Sequence, residues 1–330
     1  MEIARAVVVA TTNNHDQRWS SVGTRPKSLV PVATKPILFH TLETLRAAGV
    51  LEAALLTEPH TASAFKATVG NGDRWGMTIR YEECDGGTAV GGALAVAGDF
   101  VDGEPVIVQP ADAMLSARLR DHVVNFARED IDALALMVVP ARTPAPLPRV
   151  AGGYLLSPRA VSIMRAGPAS RDPLARLRSH GSQVRVLDVD GCLVCHGGES
   201  SLLEANRQVL TGIATSVDPA GLDACEIQGA VVIHPTARLR NTLVRGPAII
   251  GPRSHVVDSY VGPYTSIGAD VRVEGTEIEH SIVMDGAQLL FVGSRLETSI
   301  IGREARIVRR FDMPSAVRIS IGDGAHVALS

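Results

Sequence analysis

An α/β domain with a mainly parallel sheet, continued by a parallel β-helix, is the architecture this sequence predicts. Two observations carry it. Through roughly the first 210 residues, apolar strand-like runs alternate with helical patterns, the order in which parallel strands and their crossover helices follow one another. After about residue 225 the helical periodicity stops, and an aliphatic residue recurs at every sixth position, the mark of stacked coils. The expected boundaries are 1–211 for the α/β domain, 212–225 for a linker and 226–330 for the β-helix.

The strand candidates are "ARAVVVA", "EAALLT", "MTIRYEE", "EPVIVQPAD", "DALALMVV" and "QVRVLDV". Such near-continuous aliphatic runs suit strands covered on both faces. The helical patterns "ILFHTLETLRAAG", "TAVGGALAVAGDF" and "LSARLRDHVVNFARE" lie between them. "SLLEANRQVLTGI" reads as one more helix, with Leu202, Leu203, Ala205 and Val209 on its apolar side.

In the last hundred residues Val244, Ile250 and Val256 hold a six-residue phase, as do Val261, Ile267 and Val273, and later Ile301 and Ile307. Aliphatic–glycine pairs stand at Ile250–Gly251, Val261–Gly262, Ile267–Gly268, Ile301–Gly302 and Ile321–Gly322. One aliphatic per short strand points into a shared core, and the glycines allow the corners. A β-sandwich would alternate at period two instead.

Composition removes several classes of function. A net charge of −3 gives no basic field for nucleic acid, and 4% aromatics give few stacking platforms for single strands. The first apolar stretch, Ala6 to Ala10, is too short for a signal peptide or a membrane helix, and no run approaches eighteen apolar residues. The expectation is a soluble cytoplasmic protein without membrane or nucleic-acid partners. Cys84, Cys192, Cys195 and Cys225 are too few and too scattered for a disulfide framework.

The stretch from Val7 to Pro36, "VVVATTNNHDQRWSSVGTRPKSLVPVATKP", is the informative one. A strand ending at Ala10 would, in an α/β enzyme that holds a nucleoside triphosphate, turn through glycines so that backbone N–H groups can close on phosphate. Here the turn reads Thr11, Thr12, Asn13, Asn14, His15, Asp16, and the first glycine is Gly23.

Three segments resemble one family. "RPKSLVPVATKPILFHTLETLRAAGV", "LLEANRQVL" and the whole of "LVRGPAIIGPRSHVVDSYVGPYTSIGADVRVEGTEIEHSIVMDGA" are similar to the long form of glucose-1-phosphate thymidylyltransferase, a sugar-1-phosphate nucleotidylyltransferase. The resemblance implies a Rossmann-like transferase domain followed by a left-handed β-helix. It implies joining of a nucleoside triphosphate to a sugar 1-phosphate with release of pyrophosphate, assisted by Mg²⁺ if the chain is active. By the same resemblance Lys27 matches the lysine near the α-phosphate, with Arg25 and Arg18 as further cations. Asp112, in "QPADAML", matches the first of two metal-binding aspartates, and Gly87, in "DGGTA", a glycine that lets the base approach the backbone.

The departures are as telling. The family's glycine-rich loop is replaced by "TTNNHDQRW". Its base-reading glutamine falls at or beside Cys84, and its second metal aspartate at Cys195 in "GCLVCHGG". Its E-K-P segment, whose lysine holds the sugar phosphate, has no counterpart in "PARTPAPLPRVA", and the glutamate of its G-E-x-E-I-T-D motif is missing from "GPASRDPLARLRSHG". The nucleotide-binding candidates are therefore Gly87 and Cys84, the metal candidates Asp112 and Cys195, and the catalytic candidates Lys27 and Arg25.

Blander readings stand beside these. Lys27 and Asp112 could be inherited for folding alone. "CLVCH" also spells the C-x-x-C-H haem-attachment pattern, but in a strand-to-loop context with no export signal. A zinc site from Cys192, Cys195 and His196 would need a fourth ligand such as His15 or Cys84. The histidines His234, His255, His280 and His326 leave a β-helix acyltransferase as a minor alternative. The reading favoured is a weakly active or inactive homologue with a binding, regulatory or assembly role. The alternative is an active nucleotidylyltransferase with an altered substrate. A nucleotide or sugar phosphate is the expected ligand, and a homo-oligomer the expected assembly.

Overall fold

A computed structural model describes residues 3–11, 25–115, 118–138, 150–166, 172–189, 191–193 and 199–309. In chain order, the first domain runs β1 (Arg5–Ala10), β2 (Pro31–Val32), β3 (Lys35–Pro36), α1 (Ile37–Ala47), β4 (Glu52–Thr57), α2 (Ala62–Val69), β5 (Thr78–Glu83) and α3 (Val90–Ala97). It continues through β6 (Val106–Pro110), β7 (Ala113–Leu115), α4 (Leu119–Arg128), β8 (Ala133–Val138), β9 (Val150–Leu156), α5 (Pro158–Arg165), α6 (Pro173–Ser179), β10 (Val184–Val189), β11 (Gly191–Leu193) and α7 (Glu199–Thr211).

Seven strands form the central sheet in the order β10-β8-β9-β6-β1-β4-β5. Each of the six predicted strands is in it. The seventh, β9, runs antiparallel between β6 and β8, and sequence reading did not anticipate it. Its centre is Gly152–Gly153, a pair that reads as a turn. The glycine is there for space: a Cβ on Gly152 would stand 2.6 Å from Val138 Cγ2 and 2.8 Å from Leu115 Cδ2.

Helices cover both faces. Leu38, Leu42, Leu45, Phe65 and Phe126, from α1, α2 and α4, bury one side of the sheet. Leu94, Val161, Met164 and Leu177, from α3, α5 and α6, bury the other. Two α-helix starts are capped by side chains. Ser157 accepts from Ala160 N ahead of Pro158, and Asp172 accepts from Leu174 N and Ala175 N ahead of Pro173.

The second domain is a parallel β-helix with three sheets. Its first face stacks Leu222–Asp223, Arg238–Arg240, His255–Val257, Arg272–Glu274, Gln288–Leu290 and Arg306–Val308. The pairing of Leu222–Asp223 begins inside the segment expected as linker. Val244, Ile250, Val256, Val261, Ile267 and Val273 are all fully buried inside the coils. Ile301 follows them, whereas Ile307, on the last described strand, is 36% exposed. The pair Ile321–Gly322 lies outside the described residues.

The third face, Val231–Ile233 through Ile300–Ile301, docks on the α/β domain. Ile282, Met284, Ile249 and Ile300 pack with Leu202, Ala205 and Leu210 of α7 and with Val30, Val32, Ala33 and Ile37 around the β2–β3 hairpin. Asn206 is the polar member of this seam, 1% exposed. Its Oδ1 accepts from Ala33 N at 2.9 Å, and its Nδ2 donates to the Tyr264 carbonyl at 3.0 Å. The apolar side of α7 thus also carries Asn206 and Leu210, beyond the positions expected. No helix among the described residues is long and apolar enough to cross a membrane.

Candidate active site

The carboxyl ends of β1 and β6 open into a cleft of about 250 Å³, at the sheet edge where α/β enzymes place their ligands. Four segments wall it: Val9 to Thr11, Pro26 to Ser28, Thr88 to Val90, and Val108 to Asp112, with Val150, Ala151 and Tyr154 closing the side formed by β9.

Lys27 and Asp112 are brought together here, both lining the cleft and both more than nine-tenths buried. Lys27 opens a single 3₁₀ turn, Lys27–Leu29, closed by Leu29 N to Pro26 O at 2.9 Å and Val30 N to Lys27 O at 3.0 Å. Asp112 sits in the turn between β6 and β7. Most of the surrounding wall is aliphatic, and a poorly hydrated wall strengthens the field of any charge it surrounds. An ammonium and a carboxylate in such a place can stabilise an anion and hold a hard cation respectively.

Gly87 does not line the cleft but shapes it. Its φ of 74° is left-handed backbone, which glycine adopts without cost, and it delivers Thr88 and Ala89 to the wall just before α3. Thr88 Oγ1 donates to the Asp85 carbonyl and tightens that turn. Cys84 is placed elsewhere, in the apolar cluster with Val7, Leu56, Ala93 and Leu94. Burial pushes its thiol above the usual range, and the nearby charges of Glu58 and Asp85 push the same way, against a hydrogen bond with Thr88. Arg25 is exposed at the entry to the Lys27 segment. Cys195, His196 and Arg18 lie outside the described residues, as does most of the "TTNNHDQRW" loop.

Two cleft residues were not singled out from sequence. Tyr154, on β9, brings a phenol whose pKa is raised by burial and then by the charge of Asp172. Its strand was missed, so its position was missed with it. Gln109 is the one polar side chain that interrupts "VIV" before the turn, a signal available in the sequence. It is fully buried, and among the described residues its Oε1 has no hydrogen-bond partner.

Among the described residues no group of three or more His, Cys, Asp or Glu could hold a metal ion unaided. One carboxylate still suits Mg²⁺, which binds through one or two carboxylates, waters and substrate phosphates. Asp112 fits that role.

Residues 22–146 match the Nucleotidyl transferase family. A glucose-1-phosphate thymidylyltransferase of Streptomyces griseus is 31% identical, over 93% of this chain and 94% of that protein. The chain belongs to the glucose-1-phosphate thymidylyltransferase family. A second member, from Streptomyces antibioticus, is 27% identical over 93% of the chain. A low-salt glycan biosynthesis nucleotidyltransferase of Haloferax volcanii is also 27% identical, over 93% of this chain and 95% of that protein. A Bacillus anthracis crystal structure assigned as a glucose-1-phosphate thymidylyltransferase, with sucrose bound, superposes with a TM-score of 0.54 at 18% identity, over 64% of this chain and 97% of that one. That likeness concerns the fold. In this member of the family, Lys27 and Asp112 line the same cleft.

Proposed function

We propose that this chain is a sugar-1-phosphate nucleotidylyltransferase homologue that binds a nucleoside triphosphate but turns it over slowly or not at all. The observation that carries the binding half is the convergence of Lys27 and Asp112 in one buried cleft. Lys27 would neutralise a phosphate oxygen near the reacting phosphorus, and its short, well-anchored turn limits the reorganisation that contact needs. Asp112 would hold Mg²⁺. That ion, when bound, would offset the negative charge of the triphosphate. Tyr154 would present its phenol to a hydroxyl or phosphate of the second substrate.

Three observations support slow chemistry. Cys84 lies in the apolar core and cannot supply the paired donor and acceptor of an amide. Only the residues 139–149 separate β8 from β9, leaving little chain for an element that grips a sugar phosphate. The described cleft offers one carboxylate. Losing a preorganised donor costs about 10²–10³ in rate, and such penalties do not add fully. Even about 10⁴-fold overall would lower a typical turnover near 10 s⁻¹ to about 10⁻³ s⁻¹.

A coupled pyrophosphate assay with Mg²⁺, glucose 1-phosphate and dTTP tests the reading. We expect turnover near or below about 10⁻³ s⁻¹ alongside measurable dTTP binding. Turnover near 1 s⁻¹ that disappears in Lys27→Ala and Asp112→Ala would overturn it and establish the second reading, a working enzyme with a rebuilt loop. The shared position of Lys27 and Asp112 on one cleft favours that second reading.

A further inference from the structure

We infer that Thr41 and Gln109 are positioning residues for Asp112. They fix the peptide units on either side of it, so that a single carboxylate is held ready for a divalent cation. The inference rests on the metal role proposed above for Asp112.

Asp112 lies between Ala111 and Ala113, and three hydrogen bonds reach those two neighbours from three separate elements. Ala111 N donates to Val9 O of β1 at 2.9 Å. Thr41 Oγ1, from α1, donates to Ala111 O at 3.0 Å and stands 3.4 Å from Ala113 O. Gln109 Nε2, from β6, donates to Ala113 O at 2.6 Å. Both side chains are fully buried.

This is an uncommon use of two core positions. Thr41 lies on the buried face of α1 among Leu38, Leu42 and Leu45, where an aliphatic residue would pack as well. Gln109 faces the same layer, and among the described residues its Oε1 is buried without a partner. A buried acceptor left unpaired lowers stability, and methionine would fill a similar volume without that loss. The pair therefore does something that packing alone does not require. What the two donors share is their target, the carbonyls flanking Asp112. Outer hydrogen bonds that orient a metal-binding side chain commonly govern affinity by about 10–100-fold, and a site relying on one carboxylate has no second ligand to restore its geometry.

The test is Mn²⁺ binding in the presence of dTTP, followed by electron paramagnetic resonance on the full chain, with urea denaturation measured in parallel. Thr41→Val and Gln109→Met are the variants, with Thr41→Ser as the conservative control and Asp112→Asn as the loss of the ligand itself. We expect Thr41→Val and Gln109→Met each to weaken Mn²⁺ binding by about 10-fold or more, while the urea midpoint falls only by what the loss of one buried hydrogen bond accounts for. Thr41→Ser should bind as the parent does, and Asp112→Asn should lose the ion. Equal Mn²⁺ affinity in the parent, Thr41→Val and Gln109→Met would overturn the positioning role and leave the metal reading intact. So would weaker binding that only tracks a lowered urea midpoint. A parent chain that binds no Mn²⁺ with dTTP would overturn both, because Asp112 would then hold no metal.

Discussion

His40 shows how one side chain ties pH to stability. It lies on α1, and its Nε2 is 3.0 Å from the Val32 carbonyl of the neighbouring hairpin, so the neutral ring carries its proton on Nε2. Burial holds its pKa below the ordinary value, against the opposing pull of Val32 O and Glu43, while Lys35 adds to the lowering. The unfolded chain takes up a proton as pH falls below about 6.5, and the folded chain resists until a lower pH. Protons then favour unfolding, so this contribution is complete above pH ~6.5 and is lost as pH falls toward the folded pKa. His40→Gln should lose less stability than the parent between pH 7.5 and pH 5.5, measured as urea midpoints. Equal losses in the two proteins would remove His40 from the account. At this scale Lys27 and Asp112 were legible through the family resemblance of the segments around them, and the structure sets both on one cleft. Gln109 was visible as a polar residue after an aliphatic run, but its role and those of Thr41 and Tyr154 were not, because they depend on what lies opposite in the fold.

At the scale of elements, α7 is the best example of a segment whose chemistry exceeds its periodicity. The spacing of its apolar residues predicts a helix, and the helix is there. It does not predict that Asn206 would reach the hairpin on one side and the β-helix on the other. The hairpin needs such support. Ala33 and Thr34 form its two-residue loop with φ of 47° and 68°, a conformation that favours Asn or Gly. Asn206→Ala would leave the buried Ala33 N–H and the half-buried Tyr264 carbonyl without their partner. We expect a loss of about 2–4 kcal/mol in urea denaturation, the desolvation cost of two orphaned groups. A loss under about 0.5 kcal/mol would mean that water or a shift of the hairpin replaces both bonds. The six-residue phase of the coils was readable for a simpler reason. Each inward aliphatic makes the same contact in each turn, so local pattern and final burial coincide. β9 was unreadable because its glycines answer to Leu115 and Val138, which are distant in sequence.

For the molecule as a whole, the seam between the domains is an apolar one. Val30, Val32, Ile37, Leu202 and Leu210 meet Ile282 and Met284 there. A chain ending near Thr211 would uncover that surface, and uncovered patches of this kind drive association. The β-helix ends and faces are also the expected site of self-association. We therefore predict that the truncated chain loses subunits or becomes poorly soluble, with sedimentation velocity as the measure. Well-behaved monomers for both the truncated and the full chain would refute this.

The stacking of the coils has one more consequence. Val231, Ala248 and Thr265 pair in succession at a spacing of seventeen residues, whereas Ile267 to Val283 spans sixteen and Val283 to Ile301 eighteen. Insertions or deletions in whole turns would keep the docked face in phase with α7. A gain or loss of a single residue at a corner is absorbed there, since Ile267, Val283 and Ile301 stay stacked and buried across those unequal turns. The same change inside a strand would exchange inward for outward positions. Length change is thus tolerated at the corners and in whole turns but not within the short strands, and the surface that meets α7 keeps its orientation while the corners vary.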